Sequence, residues 1–136
     1  MIRVAAMLCA LTFGSNAALA QSPQPSQIPN TVFNLPIPNI PGKNLLATVV
    51  HYEPGGRTGP HHHSPSAFIA AYVLKGAVRS QVDDQPVRVY RAGEYFTENP
   101  GAHHLVSENA SKTEPAELLA IFVLDSSEAT LTKMDK

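Results

Sequence analysis

Short runs of apolar residues, separated by turn-forming residues, extend over most of the chain. The three longest runs are rich in apolar and β-branched residues and lie at 45–52, 67–74 and 116–124. Shorter runs occupy 77–82, 87–90, 94–97 and 103–107. Clusters such as Asp83-Asp84-Gln85-Pro86 and Asn99-Pro100-Gly101 interrupt them. About eight short strands at this spacing, without a helical period of similar length, predict an all-β antiparallel sandwich or barrel.

The N-terminal residues have the pattern of a secretory signal peptide. Arg3 provides the positive charge, residues 4–13 the apolar segment, and Ala18-Leu19-Ala20 the small residues of a cleavage site. We expect cleavage after Ala20 and therefore a periplasmic or secreted protein. The only cysteine, Cys9, lies within this segment, so we expect neither a disulfide nor a thiolate ligand in the mature chain.

Residues 21–43 form a proline-rich arm. Six of the twelve prolines lie there, which excludes a helix or a central strand and predicts an extended backbone. The apolar end of the arm suits a position along a sheet edge or across a dimer partner, and a flexible tether is the open alternative. The barrel is then predicted at 44–125. A polar tail at 126–136 follows, with room for one short helix at most.

Composition narrows the class of partner. The 136 residues are enough for one domain, and a formal net charge of -1 provides no field that would attract nucleic acid. Aromatic residues make up 7% and tryptophan is absent, which disfavours a stacking platform for bases. No apolar run reaches the roughly 18 residues that a membrane span requires. A small-molecule substrate or ligand is the partner class that fits.

Five of the six histidines fall into two groups, at 61–63 and 103–104. Side chains at i and i+2 of a strand share a face, so we expect His61 and His63 to point together and His62 away. For the same reason His103 and His104 must face opposite sides. A barrel that brings the two strands together would place three imidazoles around one point. Neutral imidazole is a common ligand of divalent transition metals, so the pattern predicts a three-histidine metal site.

Two motifs resemble those of the cupin superfamily. Gly55-x5-His61-x-His63 resembles the first half of cupin motif one. Gly93-x5-Asn99-x-Gly101-x2-His104 resembles motif two, with asparagine where the family usually has proline. The resemblance extends over residues 45–124 and implies a double-stranded β-helix, the cupin or jelly-roll barrel. It also implies that His61, His63 and His104 bind one divalent transition metal ion, with Fe, Zn, Mn, Ni and Cu as candidates.

One ligand of the family pattern is missing from its expected position. Cupins usually have a glutamate four or five residues after the second histidine of motif one, and this window reads Ala67-Phe68-Ile69. The resemblance therefore implies a three-histidine centre or a site that has lost its metal. The carboxylates on neighbouring strands are Glu53, Glu94 and Glu98. Glu98, the closest to motif two, is a catalytic candidate, although a solvated turn position is the favoured interpretation.

Further candidates for catalysis and substrate binding lie near the two motifs. His51, in an apolar strand, is the other candidate acid or base, and a satisfied edge histidine is the alternative. Arg57 precedes the histidines of motif one and is a candidate for binding a carboxylate at the barrel mouth. The side chains expected to line the substrate pocket are Phe68, Tyr72 and Phe96.

Two classes of function fit these residues. The first is a metal-dependent enzyme acting on a small organic molecule, with dioxygenase-type oxidoreductase chemistry favoured over Lewis-acid isomerase or lyase chemistry. The second is a non-catalytic cupin that binds a small ligand in the same cavity. A chain exported unfolded acquires its metal outside the cytoplasm, where nitrogen ligands favour Cu and Zn. The sheet edges and the apolar part of the arm predict a homodimer.

Overall fold

The computed structural model describes residues 27–136, which form two antiparallel β-sheets. The strands in this part of the chain are β1 (Gln27–Pro36), β2 (Lys43–Tyr52), β3 (Arg57–Thr58), β4 (His61–His63), β5 (Phe68–Lys75), β6 (Ala77–Val82), β7 (Arg88–Arg91), β8 (Tyr95–Glu98), β9 (His103–Asn109), β10 (Ala116–Asp125) and β11 (Thr132–Met134). The described residues contain no helix, and hence none that is long and apolar enough to cross a membrane. The all-β prediction is confirmed, whereas the predicted signal peptide lies outside the described residues.

The chain winds back and forth between the two sheets. The first sheet has the order β1-β2-β10-β5-β8, and the second has the order β11-β4-β9-β6-β7, with β3 paired to β9. Most strands that follow one another in the sequence therefore lie in opposite sheets. The winding places β4 beside β9, with His61 opposite His104 and His62 opposite His103. The two histidine groups of the sequence thus become neighbours in space.

Apolar side chains pack between the sheets as two clusters. The buried members of the first are Tyr52, Ala71, Val73, Val78, Phe96, Ala116 and Leu118. Those of the second are Leu46, Ala67, Ile69, Ala120, Phe122 and Leu124. β10 contributes to both, because every second residue from Ala116 to Leu124 is buried. Removal of apolar surface from water, at about 25 cal/mol per Å², makes this core the main stabilising contribution.

Both ends of the described chain add a strand to the edge of a sheet. β1, which contains part of the proline-rich arm, pairs with β2 at the edge of the first sheet. An edge is where a strand with Pro29 and Pro36 fits, because proline lacks the N–H that an inner strand must donate. The tail, predicted to have room for one short helix at most, instead forms β11 and pairs with β4.

Two turns depend on unusual backbone conformations. Gly76, between β5 and β6, has a φ of 71°, and a Cβ there would lie 2.6 Å from the carbonyl oxygen of Pro115, so only glycine fits. Asp83, in the turn after β6, has a φ of 51°, which aspartate tolerates. Its carboxylate accepts a hydrogen bond of 2.8 Å from the backbone N–H of His103. The predicted turn at 83–86 is thereby linked to the start of the histidine strand β9.

Candidate metal centre

Three histidines from β4 and β9 converge between the sheets. His61 and His63 point inward from β4 and His104 from β9, with exposed fractions of 4%, 9% and 3%. The ring centroid of His61 lies 4.8 Å from that of His63 and 5.1 Å from that of His104. One ring nitrogen from each residue lies within 4.8 Å of the others. The structure therefore brings together the three imidazoles that the motifs single out.

A carboxylate from the opposite sheet joins this group. Glu98, the last residue of β8, is only 3% exposed, and its Oε2 lies 3.0 Å from Nε2 of His63 and 3.2 Å from Nδ1 of His104. The solvated turn position favoured for Glu98 is therefore wrong. The alternation of β8 explains why: Glu98 follows Phe96 by two residues, and both are buried while the residues alternating with them are exposed.

Glu98 lies next to the position where the family pattern lacks its glutamate. In the sheet register, Glu98 of β8 is paired with the fully buried Ile69 of β5, and Ile69 directly follows Ala67 and Phe68, which lie four and five residues after His63. Paired residues share a face, with Cβ atoms about 4.5–5.5 Å apart. A carboxylate on β8 thus reaches nearly the same region as one on β5. The neighbouring strand supplies the group that the expected strand lacks.

The polar atoms at this point lack ordinary partners. Among the described residues, three buried side-chain atoms have no aligned hydrogen bond, namely Nδ1 and Nε2 of His63 and Oε2 of Glu98. Leaving a buried polar atom unpaired costs about 1–3 kcal/mol. A cation bound between imidazole and carboxylate would satisfy such atoms. Three imidazoles and one carboxylate form a donor set suited to a divalent transition metal, so the residues fit the metal that the cupin resemblance implies.

Neighbouring groups orient two of the imidazoles. Nδ1 of His61 lies 2.8 Å from the carbonyl oxygen of Gly59. Because a carbonyl only accepts, Nδ1 carries the proton and the lone pair of Nε2 is left for a metal. Nε2 of His104 lies 2.9 Å from the hydroxyl oxygen of Ser80, which holds this ring against β6. These contacts preorganise the ligands before any metal binds.

Burial and mutual contact set the charges of the group. Burial lowers the pKa of His61 to about 4, and the neighbouring His104 and His63 contribute to the decrease although the hydrogen bond to Gly59 opposes it. His61 is therefore neutral at pH 7, the form that binds metals. Burial by itself raises the pKa of Glu98, but contact with the imidazoles of His104 and His63 outweighs this effect and lowers it to about 2. Glu98 is therefore anionic at neutral pH.

A cavity of about 380 Å³ opens beside the histidines and Glu98. Its volume is near the lower end of the roughly 300–1,000 Å³ typical of small-molecule sites. Side chains of β2, β10 and β11 provide much of its wall, including Thr48, Val50, Tyr52, Leu118, Ala120, Phe122, Thr132 and Met134. In the described part of the chain, no lysine or arginine lines this cavity. Its lining is therefore largely apolar, with a few hydroxyl groups, the three inward histidines and Glu98.

Tyr52 provides a buried hydroxyl group in the cavity wall. Its hydroxyl oxygen lies 2.7 Å from Oγ of Ser107 and 3.2 Å from Oγ1 of Thr58. Burial raises the pKa of Tyr52, while the hydrogen bonds to Ser107 and Thr58 act in the opposite direction. The phenol is therefore protonated at neutral pH and serves as a hydrogen-bonding group.

Four other candidate residues lie outside this cavity wall. Phe68 and Tyr72 are on the outer face of β5, each 42% exposed. His51 is exposed on β2, with Nδ1 3.7 Å from Oε1 of Glu117. Arg57 is exposed on β3. The run 67–74 is apolar on both faces, so its sequence does not show which residues point inward.

Phe96 has a supporting position behind the inward histidines. It is buried in the first core cluster, and its ring packs edge-on against His104 with centroids 5.8 Å apart. The ring of Tyr90 also packs against Phe96, at a centroid distance of 4.8 Å. Phe96 therefore contacts His104, one of the candidate ligands, and does not line the cavity.

The family comparison agrees with this geometry. The family model described as Cupin domain matches residues 48–122, which is more than half of the chain. This chain belongs to the cupin superfamily. The matched region of this cupin contains the three inward histidines and Glu98. Among curated proteins, none matches the sequence significantly.

Solved structures support the same fold. An uncharacterized conserved protein with a double-stranded β-helix domain from Klebsiella pneumoniae subsp. pneumoniae MGH 78578 is similar, with a TM-score of 0.62 and 19% identity over 79% of this chain and 85% of that chain. Recombinant oxalate oxidase in complex with glycolate has a TM-score of 0.62 and 25% identity, over 84% of this chain and 57% of that chain. DMSP lyase DddQ from Ruegeria pomeroyi DSS-3 has a TM-score of 0.55 and 20% identity, over 66% and 42%. The cupin therefore spans about half the length of these two enzymes, and its predicted double-stranded β-helix is confirmed.

Proposed function

We propose that this cupin is a metal-dependent oxidoreductase that acts on a small organic carboxylate. The observation that carries the proposal is the convergence of three buried imidazoles and one buried carboxylate, with unpaired polar atoms, beside a small cavity. A purely structural role would not require such a group, because burying unpaired polar atoms is destabilising.

The ligands of the ion are assigned to four side chains, namely His61, His63, His104 and Glu98. When bound, a divalent transition metal would polarise substrate oxygens and, if it is redox-active, support reactions with O2. Gly59 and Ser80 keep two of the imidazoles in place through the contacts of 2.8 Å and 2.9 Å. The apolar wall of the cavity limits the access of water to the reacting groups.

Charge and volume favour a small monoanionic substrate. With one carboxylate among four ligands, a divalent ion leaves a net charge of +1 at the site. No lysine or arginine of the described chain lines the cavity, so a substrate carboxylate would be attracted by the ion itself. The hydroxyl groups of Tyr52, Thr48 and Ser107 in the wall are suited to binding the other polar atoms of the substrate. The structural likeness to oxalate oxidase with bound glycolate supports this substrate class.

Metal analysis and oxygen uptake test this proposal. Untagged protein is exposed briefly to EDTA, which removes exposed ions first, and its metal content is measured by mass spectrometry. We expect about one equivalent of a transition metal in the wild type and in the control variant His51→Ala, and none in His61→Ala/His104→Ala. Oxygen consumption is then followed with glycolate, oxalate and other small carboxylates, and we expect it to depend on the metal and to fall at least tenfold in Glu98→Gln.

Other results would select a different function. Tightly held Zn with substrate turnover but no oxygen uptake would favour Lewis-acid isomerase or lyase chemistry. Metal without any turnover would favour a ligand-binding cupin. A folded protein whose metal content is zero in all three forms would contradict the metal-dependent function.

We also propose that the protein is exported and forms a homodimer. Export rests on the leader pattern of residues 1–20, and N-terminal sequencing of the secreted or periplasmic protein should begin at Gln21. Dimerisation rests on β1, an edge strand whose Val32 and Leu35 are each 55% exposed. Light scattering should give the mass of two mature chains, and the mass of one chain would contradict the dimer.

A further inference from the structure

The outward histidines of β4 and β9 form a second group of metal-ligating side chains. His62 and His103 are directly opposite each other in the strand register, and their rings stack with centroids 4.1 Å apart and an interplanar angle of 12°. Asp135 lies beside the same two rings, with Oδ2 2.9 Å from Nε2 of His103 and Oδ1 4.0 Å from Nε2 of His62. One ligand atom of each residue lies within 4.8 Å of the others.

We propose that His62, His103 and Asp135 form a second binding site for a divalent transition metal, on the outer face of the β4–β9 strand pair. Two imidazoles and a carboxylate are ligands that Zn²⁺ uses in proteins, with solvent completing the coordination. This site is separate from the inward group, because strand alternation directs its histidines to the opposite face. The proposal does not depend on the proposed oxidoreductase function.

The distances fit a small cation. With metal–ligand bonds of about 2.0–2.2 Å, ligand atoms of a tetrahedral Zn²⁺ ion are about 3.3 Å apart. The two histidine–carboxylate distances, 2.9 Å and 4.0 Å, lie on either side of this value. To direct both imidazole lone pairs at one ion, the parallel rings must tilt about χ2. The side chains of His62 and His103 are 51% and 29% exposed, which leaves room for this rotation and for the entry of an ion.

The backbone places Asp135 at the site. β11 pairs with β4 so that Lys133 is opposite His62, and the backbone N–H of Asp135 donates a hydrogen bond of 3.0 Å to the carbonyl oxygen of Pro60. The carboxylate is therefore presented to the two imidazoles by strand pairing and not by a free terminus. An ion bound there would link the tail to both β4 and β9.

β11 connects the outer site to the inner cavity. Thr132 and Met134 of β11 line the inner cavity, while Asp135, one residue further, lies at the outer site. A metal bound outside would thus hold in place the strand that forms part of the cavity wall. We expect Zn²⁺ to slow amide hydrogen exchange of β11, because opening of the strand would require release of a metal ligand.

The stoichiometry of Zn²⁺ binding tests the second site. Untagged, metal-free protein is titrated with Zn²⁺ by isothermal calorimetry, with equilibrium dialysis as a check. We expect about two ions per chain for the wild type and about one for each of the double variants His62→Ala/Asp135→Asn and His61→Ala/His104→Ala. The β11 exchange protection should be lost in the first variant and kept in the second.

A matched control uses another exposed histidine–carboxylate pair. Nδ1 of His51 and Oε1 of Glu117 are 3.7 Å apart, and the two side chains are 48% and 34% exposed. Among the described residues, however, this pair belongs to no group of three potential metal ligands. The variant His51→Ala/Glu117→Gln should still bind about two ions. Asp135→Asn alone, near the chain end, should also bind the outer ion at least tenfold more weakly, since it removes the anionic ligand without removing a ring.

The outcomes separate this inference from the proposed function. One ion in the wild type that is lost only in His61→Ala/His104→Ala would overturn the outer site and leave the inner metal centre standing. One ion that is lost only in His62→Ala/Asp135→Asn would support the outer site and contradict the inner centre. Two ions in the wild type that both persist in His62→Ala/Asp135→Asn would overturn the outer site.

Discussion

The inner and outer faces of the β4–β9 pair carry the same residue type in contrasting environments. On the inner face, His61 and His104 are opposite each other and are 4% and 3% exposed. On the outer face, His62 and His103 are opposite each other, with side chains 51% and 29% exposed. Each pair has one carboxylate nearby, Glu98 inside and Asp135 outside.

The difference shows what burial, together with a third histidine on the inner face, adds to the same types of ligand. Inside, burial keeps His61 neutral by lowering its pKa to about 4, and Nε2 of His63 and Oε2 of Glu98, although 3.0 Å apart, form no aligned hydrogen bond. An ion there would complete the partners of these buried atoms. Outside, water already solvates the imidazoles and the carboxylate, so an ion gains less by binding. We therefore expect tight binding inside and weaker, exchangeable binding outside.

The largest expected effect is the loss of metal-induced stability on the inner face. Free ion at 100 times its dissociation constant stabilises a folded protein by about 2.7 kcal/mol. In urea unfolding with Zn²⁺ at that excess over the inner site, the wild type should gain this amount and His61→Ala/His104→Ala should lose most of it. The variant His62→Ala/His103→Ala should keep most of it. Equal losses in both variants would abolish the distinction between the faces.

A smaller effect is expected when Glu98 is neutralised in the metal-free protein, and neutralising the surface carboxylate of Glu108 serves as the control. Glu98→Gln preserves shape but replaces the charged partner of two buried imidazoles, so it should lower the free energy of unfolding by about 2 kcal/mol. The control is Glu108→Gln, whose carboxylate pairs with Arg79 at 2.6 Å with side chains 28% and 41% exposed. It should cost less than about 1 kcal/mol. Urea unfolding at pH 7 measures both, and a smaller effect for Glu98 than for Glu108 would contradict the buried pairing.

The same contrast explains how much could be predicted from the sequence. Alternation in a three-residue strand suffices to separate His61 and His63 from His62, because the period of a strand is two. The same alternation, applied to β8, places Glu98 on the buried face of the strand together with Phe96. The position of Asp135 could not be predicted, since it depends on the pairing of β11 with β4, a long-range contact with no local signature. The prediction that Phe68 and Tyr72 line the pocket is wrong, because their strand is apolar on both faces and its sequence does not show which residues point inward.

Buried and exposed tyrosines provide a comparison in the same barrel at high pH. Tyr52, with a raised pKa, is buried and hydrogen-bonded to Ser107 and Thr58, whereas Tyr95 is 66% exposed. A raised pKa in the folded state means that the contribution of Tyr52 is complete below pH 10 and is lost as the pH rises through the folded value. Tyr52→Phe should lower stability at pH 7 by about 1 kcal/mol, and Tyr95→Phe should have little effect.

Ultraviolet titration of the phenols measures this difference. One of the four tyrosines should ionise later than the others in the wild type and should be absent from the titration of Tyr52→Phe. The stability difference between the wild type and Tyr52→Phe should shrink as the pH rises above 10. Ionisation of all tyrosines together, before unfolding, would contradict the buried hydrogen bonds of Tyr52.

The smallest effect is expected for Asp135→Asn in metal-free protein. Its carboxylate faces His103 at 2.9 Å, but their side chains are 37% and 29% exposed, and such surface pairs contribute about 0–1 kcal/mol. Urea unfolding should therefore barely distinguish this variant from the wild type. With Zn²⁺ in excess over the outer site, the difference should increase, because the wild type gains a bound ion that the variant holds weakly. A difference that is the same with and without Zn²⁺ would mean that Asp135 serves only its surface ion pair.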